Sequence, residues 1–133
     1  MQSRLNGTIP LGECEGGTAS STRFTKDYLE DAVVLYKKFK FVIAFENSDI
    51  AGYFTEKLVL PYLSGAVPIY LGPKEVTNFF NSKSMINCGD FPTLTDCVDE
   101  VVRVSNDDEA YLKILAEAPI TGDNFRRLFS WIF

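Results

Sequence analysis

The stretch Lys40-Phe-Val-Ile-Ala-Phe-Glu-Asn-Ser48 joins a short apolar run to an abrupt polar end. The run from Phe41 to Phe45 shows no alternation of polar and apolar residues, which is typical of a strand buried on both faces of a parallel sheet. Glu46 and Asn47 follow at once, so the chain leaves the sheet at this point. We therefore predict a strand over 41–45 and a polar loop at its carboxyl end.

A helix and a second strand follow this loop. After Gly52-Tyr-Phe-Thr-Glu-Lys57, apolar side chains recur at the spacing of one helix face, namely Leu58, Val59, Tyr62 and Leu63. Val67-Pro-Ile-Tyr-Leu71 is a further apolar run, closed by Gly72-Pro73. The order is that of a βαβ unit, and ligands of open α/β sheets bind outside the carboxyl ends of the strands. The polar loop and the first helix turn are thus the predicted site.

The rest of the chain continues the alternation of helices and short apolar segments. Either Thr93 or Thr95 is a suitable cap for a helix that follows, and Asn106-Asp-Asp-Glu109 predicts a capping box for the next one. Residues 1–24 are rich in glycine and predict a loop. We predict that residues 25–133 form one Rossmann-like α/β domain, a parallel sheet with flanking helices.

The composition excludes several classes of function. The net charge of −5, without a basic cluster, argues against nucleic acid as a partner. The chain has no histidine, and its three cysteines lack metal-ligand spacing, so neither a zinc site nor a Ser-His-Asp triad is expected. No apolar run has membrane-spanning length, and we expect this chain by itself to be soluble. A disulfide between two of the cysteines is open, and the sequence favours no pairing among Cys14, Cys88 and Cys97.

The residues at the predicted site suit a nucleotide or a nucleotide-sugar. Lys57 lies in the first helix turn, where free backbone N–H groups and a partial positive charge favour a diphosphate. Glu56 is suited to accept hydrogen bonds from the two ribose hydroxyls, and Tyr53 and Asn47 offer uncharged hydrogen bonds. The alternative is that Glu56 merely stabilises the helix N-terminus and Lys57 is a solvated charge. No Gly-x-Gly-x-x-Gly or Walker loop is present, which disfavours dehydrogenases and P-loop enzymes.

Several separated motifs resemble the α1,3/α1,4-fucosyltransferases, glycosyltransferase family 10. They are Lys40-Phe41, Glu46-Asn-Ser48, Tyr53-Phe-Thr-Glu-Lys57, Val67-Pro68, Leu71-Gly-Pro73, Asp90-Phe-Pro92 and Asp107-Asp-Glu-Ala-Tyr111. The resemblance covers residues 36–115 and fades on either side. It implies a GT-B architecture of two Rossmann-like domains, of which this chain resembles most of the C-terminal, donor-binding one. We therefore expect a partial chain that lacks the N-terminal Rossmann-like domain.

The resemblance also implies an activity and residue roles. Family members transfer fucose from GDP-fucose to N-acetylglucosamine of a glycan or glycoprotein acceptor, with inversion. Lys57 resembles the diphosphate-binding lysine and Glu56 the ribose-binding glutamate, while Tyr53 and Asn47 resemble donor-contacting residues and Glu46 is placed near the fucose. No cofactor beyond the donor is implied, and metal dependence is left open. A eukaryotic full-length member is expected in the Golgi membrane, on the lumenal side.

The chain departs from the family pattern in two respects. The general base of the family is a carboxylate of the N-terminal domain, so we expect no catalytic residue in this chain and no transfer by the chain alone. An upstream arginine that binds the diphosphate has no match, because neither Arg4 nor Arg23 has the right context. Two alternatives remain: a non-catalytic nucleotide or glycan-binding module, and a related transferase for a different sugar.

Overall fold

The structure, a computed structural model, describes residues 7–9 and 28–128. The prediction of a loop over residues 1–24 lies almost entirely outside the described residues. The described elements are, in chain order, α1 (Tyr28–Tyr36), β1 (Phe41–Phe45), α2 (Glu56–Ser64), β2 (Val67–Leu71), β3 (Ile86–Asn87), α3 (Leu94–Ser105), α4 (Asp108–Leu115) and α5 (Gly122–Leu128). Short 3-10 turns over Lys74–Asn78, Ser82–Ser84 and Cys88–Asp90 connect β2, β3 and α3.

The three strands form a parallel sheet in the order β1-β2-β3. β1 and β2 pair along their whole length, from Phe41 opposite Val67 to Phe45 opposite Leu71. α2 connects these two strands and packs on both of them, which completes the predicted βαβ unit. The prediction of a parallel sheet with flanking helices is confirmed, and the strand bounds at 41–45 and 67–71 are as predicted.

Two apolar clusters fill the two faces of the sheet. On one face, Val67 and Ile69 of β2 pack with α3 through Cys97, Val101 and Val104. On the other face, the cluster under α2 consists of Ala44, Leu58, Tyr70, Val76 and Met85. Side chains of β2 therefore alternate between two buried faces, as expected for the middle strand of a covered parallel sheet.

The prediction that β1 is buried on both faces is wrong. Only Ala44 of this strand is fully buried, and Ile43 is 48% exposed. The reason is position, because β1 is the edge strand of the described sheet while α3 packs over β3. The neighbouring Phe41 and Phe45 still reach the core, so the strand is half-buried.

The apolar face predicted for α2 is correct only in part. Leu58 is fully buried and Tyr62 packs against the same cluster, whereas Val59 and Leu63 are exposed by 40% and 64%. The spacing brings residues 58 and 62 over the sheet, and positions 59 and 63 lie one step further around the helix. Gly65 ends the helix in the left-handed conformation, with a φ of 78° that favours glycine.

The caps of α3 and α4 decide between the predicted alternatives. Thr93, not Thr95, caps α3, and its side chain forms a reciprocal capping box with Asp96. The capping box predicted at Asn106-Asp-Asp-Glu109 is wrong, because Asp107 is the cap and its carboxylate accepts from the backbone N–H of Ala110. Asn106 instead ends α3, and this shifts the next helix start by one residue.

A disulfide joins Cys88, which follows β3, to Cys97 in α3. Both residues are buried, with exposures of 4% and 0%, and both belong to the cluster between the sheet and α3. This bond selects one of the pairings that the sequence left open. It fixes the start of α3 against the end of the neighbouring strand.

The start of β1 is tied to α4 across a long stretch of sequence. The Lys40 ammonium lies 2.8 Å from the Asp108 carboxylate and 5.0 Å from the ring centroid of Tyr111. Phe41 meets the same Tyr111 ring edge to face, with the centroids 5.4 Å apart. Exposed ion pairs contribute little to stability, so the aromatic contact carries most of this connection. The hydrogen bond from Lys40 still holds the pKa of Asp108 below its usual value.

Candidate functional site

The polar loop between β1 and α2 is held in place by three hydrogen bonds of Glu46. The Glu46 backbone N–H donates to the Leu71 carbonyl at 2.8 Å, which extends the strand pairing by one residue. The Glu46 carboxylate then accepts from the Thr55 backbone N–H at 2.8 Å and from the Thr55 hydroxyl at 2.7 Å. One half-buried carboxylate thus holds the far end of the loop against the sheet.

Thr55 connects this loop to the helix. It is the N-cap of α2, in extended conformation, and its side-chain oxygen accepts from the Lys57 backbone N–H at 3.3 Å. Glu56 and Lys57 are therefore the first and second residues of α2, as the sequence predicts. The first turn of a helix leaves backbone N–H groups without intrahelical partners and carries a partial positive charge.

The Lys57 ammonium lies next to the loop. Its Nζ donates to Asn47 Oδ1 at 2.6 Å, and the two residues are ten positions apart in sequence. No carboxylate in the described part of the chain forms an ion pair with Lys57. An ammonium has three donors, so two remain after the bond to Asn47. The arrangement presents an unneutralised cation at a helix N-terminus.

Glu56 and Tyr53 are both exposed, Tyr53 in the loop and Glu56 in the first turn of α2. The Tyr53 backbone N–H donates to the Ile50 carbonyl at 2.9 Å, across a turn in which Gly52 has a φ of 80°. A positive φ favours glycine at this position. Their side chains make no hydrogen bond to the other predicted site residues within the described part of the chain. The structure brings together Asn47 with Lys57, and Glu46 with Thr55.

Sequence reasoning missed a tyrosine beneath the loop. Tyr70 is fully buried in β2, and its hydroxyl has no hydrogen-bond partner among the residues that the structure describes. Burial raises the pKa of Tyr70 to about 12, and the nearby Glu46 and Asp49 carboxylates add to the increase. A tyrosine within an apolar run is predicted to be a core residue, and no pattern in the sequence indicates that its hydroxyl lacks a hydrogen-bond partner.

Gly72 makes room for that tyrosine. A Cβ on Gly72 would lie 2.8 Å from Glu46 Cγ and still closer to the Tyr70 hydroxyl. Real Cβ atoms do not make such approaches, so this position requires glycine for space. In the sequence Gly72-Pro73 marks the end of the second apolar run, and the close approach gives the glycine a second role.

The described residues include no group of three or more acidic or cysteine side chains placed to hold a metal ion. None of the helices within the described ranges is long and apolar enough to cross a membrane.

A parallel βαβ unit with a polar loop, a helix N-terminus and a lysine at its carboxyl edge defines a Rossmann-like α/β domain with its polar groups gathered at one edge. A family model described as the C-terminal part of glycosyltransferase family 10 (fucosyltransferase) matches residues 9–116. The chain belongs to this family. The resemblance predicted from the motifs is confirmed.

Individual relatives and a solved structure agree with this assignment. A putative fucosyltransferase of Acanthamoeba polyphaga mimivirus is 37% identical over 112 residues, which is 80% of this chain and 19% of the relative. The α-(1,3)-fucosyltransferase FucT of Helicobacter pylori is 37% identical over 62% of this chain and 17% of its own length. A crystal structure of an α1,3-fucosyltransferase with GDP-fucose matches with a TM-score of 0.70 and 30% identity, over 89% of this chain and 38% of that one. The chain therefore spans about a fifth of the relatives' length.

Proposed function

We propose that this chain forms the GDP-fucose-binding domain of a fucosyltransferase, with residues 25–133 as the domain. The observation that carries the proposal is the Lys57 ammonium, which is held by Asn47 at the N-terminus of α2 without a neutralising carboxylate in the described chain. An anion at this place gains the helix N–H groups and a point charge together. The family and the solved structure with GDP-fucose support a diphosphate-linked sugar as that anion.

The remaining site residues divide the donor between them. Glu56, exposed beside Lys57, accepts from the ribose hydroxyls, and Tyr53 contacts the donor from the loop. Asn47 both contacts the donor and orients the lysine. Glu46 lies near the fucose and keeps the loop in place through Thr55.

The chemistry follows from the charge that develops during transfer. When the bond between fucose and diphosphate breaks, negative charge grows on the departing GDP, and Lys57 with the helix N-terminus stabilises it. The acceptor in this proposal is N-acetylglucosamine of a glycan or glycoprotein, and the transfer inverts the anomeric centre. The general base belongs to the N-terminal Rossmann-like domain, so this chain alone does not transfer fucose. GDP-fucose is the donor substrate, and the proposed reaction includes no cofactor besides it.

The proposal also includes the cellular compartment in which the full-length protein acts. For a eukaryotic full-length protein we propose the lumenal side of the Golgi membrane. Buried disulfides such as Cys88–Cys97 persist in oxidising compartments, which supports a secretory location.

The test is calorimetric titration of the chain with GDP and with guanosine. Lys57→Ala is expected to weaken GDP binding by about 1.5–3 kcal/mol, the range for hydrogen bonds to charged groups. Guanosine, which has no diphosphate, should lose little. Lys113→Ala removes an exposed lysine from α4 and serves as the matched control, with unchanged affinity for both ligands.

Three outcomes contradict parts of the proposal. Equal losses for GDP and guanosine in Lys57→Ala would show that Lys57 does not contact the diphosphate. Absence of GDP binding by the wild-type chain would show that the chain has no nucleotide site. Turnover of GDP-fucose and a glycan acceptor by this chain alone, at a rate typical of an intact enzyme, would contradict the assignment of the base to another domain.

A further inference from the structure

We propose that Tyr70 is a sugar-recognising residue of the donor site, whose hydroxyl hydrogen-bonds a hydroxyl of the hexose carried by the nucleoside diphosphate. This inference rests on the proposed function and deepens it, because it separates recognition of the sugar from recognition of the nucleotide. It starts from a buried hydroxyl that finds no partner within the described residues.

An unpartnered buried hydroxyl is an unusual feature of a folded protein. Most buried side-chain polar atoms have at least one hydrogen-bond partner, and an orphaned one destabilises the fold. A second tyrosine of the same apolar cluster, the partly buried Tyr62 of α2, follows the rule, since its hydroxyl lies 2.8 Å from Ser84 Oγ. Tyr70 therefore differs from its neighbour in a way that packing alone does not require.

The position of the hydroxyl connects it to the site. Tyr70 pairs with Ala44 in the β1-β2 register, and Glu46 continues β1 past that point. The Tyr70 hydroxyl and Glu46 Cγ both lie close to the point where a Gly72 side chain would begin. The hydroxyl thus lies at the carboxyl edge of the sheet, under the loop that carries Asn47 and ends at Thr55.

The charges around the hydroxyl select the kind of ligand group. Burial and, to a smaller extent, the Glu46 and Asp49 carboxylates raise the pKa of Tyr70, so the hydroxyl is protonated at neutral pH and can act as a donor. Two carboxylates repel a phosphate but accept hydrogen bonds from a neutral polyol. A sugar hydroxyl, which both donates and accepts, satisfies Tyr70 and the carboxylates together. The diphosphate is better placed at Lys57.

The proposal requires a small rearrangement. The hydroxyl is shielded from solvent in the free chain, and the Glu46 side chain lies beside it. Entry of the sugar therefore displaces only the Glu46 methylene groups beside the hydroxyl, with the carboxylate still bound to Thr55, while Gly72 leaves the space that the tyrosine occupies. Tyr70 is then a group whose partner arrives with the ligand.

The experiment compares Tyr70→Phe with the wild-type chain in titrations with GDP and with GDP-fucose. The expected result is an unchanged affinity for GDP and a threefold to tenfold weaker affinity for GDP-fucose, the net effect of about one neutral hydrogen bond. Tyr62→Phe is the matched control: it removes a hydroxyl that already has a partner, and should leave both affinities unchanged.

Thermal unfolding without ligand supplies a second readout. Tyr70→Phe should unfold at the same or a higher temperature than the wild type, because no existing hydrogen bond is lost, whereas Tyr62→Phe should unfold at a lower temperature. A lower unfolding temperature for Tyr70→Phe would show that the hydroxyl has a partner in the free protein, and would overturn the proposal.

The titrations distinguish failure of the proposed nucleotide site from failure of sugar recognition by Tyr70. If the wild type binds neither ligand, the proposed function fails and this inference fails with it. If GDP binds as expected but Tyr70→Phe affects GDP and GDP-fucose equally, or affects neither, the nucleotide site stands and sugar recognition by Tyr70 is wrong.

Discussion

Thr55 donates to both carboxylate oxygens of Glu46, through its backbone N–H to Oε1 and through its hydroxyl to Oε2. The two residues lie nine positions apart, at opposite ends of the loop between β1 and α2. Because Thr55 is also the N-cap of α2, this pair transmits the position of the strand end to the first turn of the helix. The location of Lys57 relative to the sheet is therefore set by hydrogen bonds within one short segment.

Removal of the Thr55 hydroxyl tests this connection. Thr55→Ala leaves the Lys57 backbone N–H without its cap and takes one donor from Glu46, so we expect the free energy of unfolding to fall by about 1–2 kcal/mol. Urea denaturation measures the change. Thr55→Ser should restore most of the loss. Thr77→Ala, an exposed threonine in the 3-10 turn after β2, should stay within about 0.5 kcal/mol of the wild type, and an equal effect at both sites would contradict the role of Thr55.

A second prediction concerns the space at Gly72. Gly72→Ala places a Cβ against the Tyr70 hydroxyl and 2.8 Å from Glu46 Cγ, so we expect a loss of about 1–3 kcal/mol in the free energy of unfolding from overpacking. Adding Tyr70→Phe removes the nearest atom and should recover part of this loss in denaturation experiments.

The matched control for Gly72 is Gly122, the first residue of α5, where a Cβ meets nothing within 4 Å. Gly122→Ala should leave stability unchanged or slightly higher, since alanine reduces the conformational entropy of the unfolded chain. Equal effects of the two substitutions would show that Gly72 is not constrained by its neighbours.

The disulfide gives a third prediction. Cys88 and Cys97 are separated by nine positions, and cross-linking a loop of this size stabilises a fold by about 2–3 kcal/mol in the chain-entropy model. Reduction should therefore lower the midpoint of urea denaturation, and peptide mapping without reductant should recover a linked Cys88–Cys97 fragment. Cys14→Ser should leave that fragment intact. A linkage through Cys14 in the wild-type chain would contradict the pairing.

The architecture could be predicted from the sequence because its signals are local. The apolar runs at 41–45 and 67–71 and the first helix turn at Lys57 each lie within one element, and the strand bounds agree with the structure. The motifs also identified the family, because separated segments agreed in order and spacing. Placement of Glu46, Asn47, Tyr53, Glu56 and Lys57 on one loop and one helix turn followed from the same local reading.

Features that depend on packing between elements could not be predicted. Whether Ile43 is buried depends on which strand lies at the edge, and an apolar run contains no information on that point. The contact between Lys57 and Asn47 depends on how the loop closes, and the orphaned hydroxyl of Tyr70 depends on what covers it. The chosen cysteine pair likewise follows from α3 packing beside β3.

The last prediction concerns Glu56 and the ribose. If its carboxylate accepts hydrogen bonds from the ribose hydroxyls, Glu56→Gln should weaken GDP binding by about 1.5–3 kcal/mol, because bonds to a charged acceptor are the stronger kind. Deoxy-GDP should show a similar loss on the wild-type chain and little further loss on the mutant. Calorimetric titration of both proteins with both ligands yields the coupling energy between carboxylate and hydroxyl.

The competing explanation is that Glu56 only stabilises the N-terminus of α2. Glu109 is its matched control, because it is an exposed glutamate in the first turn of another helix, α4. Glu109→Gln should lower stability by the few tenths of a kcal/mol expected for a helix-terminal charge and leave GDP affinity unchanged. Additive losses of binding free energy from Glu56→Gln and from deoxy-GDP would show that Glu56 does not contact the ribose. A stability change equal to that of Glu109→Gln would then identify Glu56 as a helix-terminal charge only.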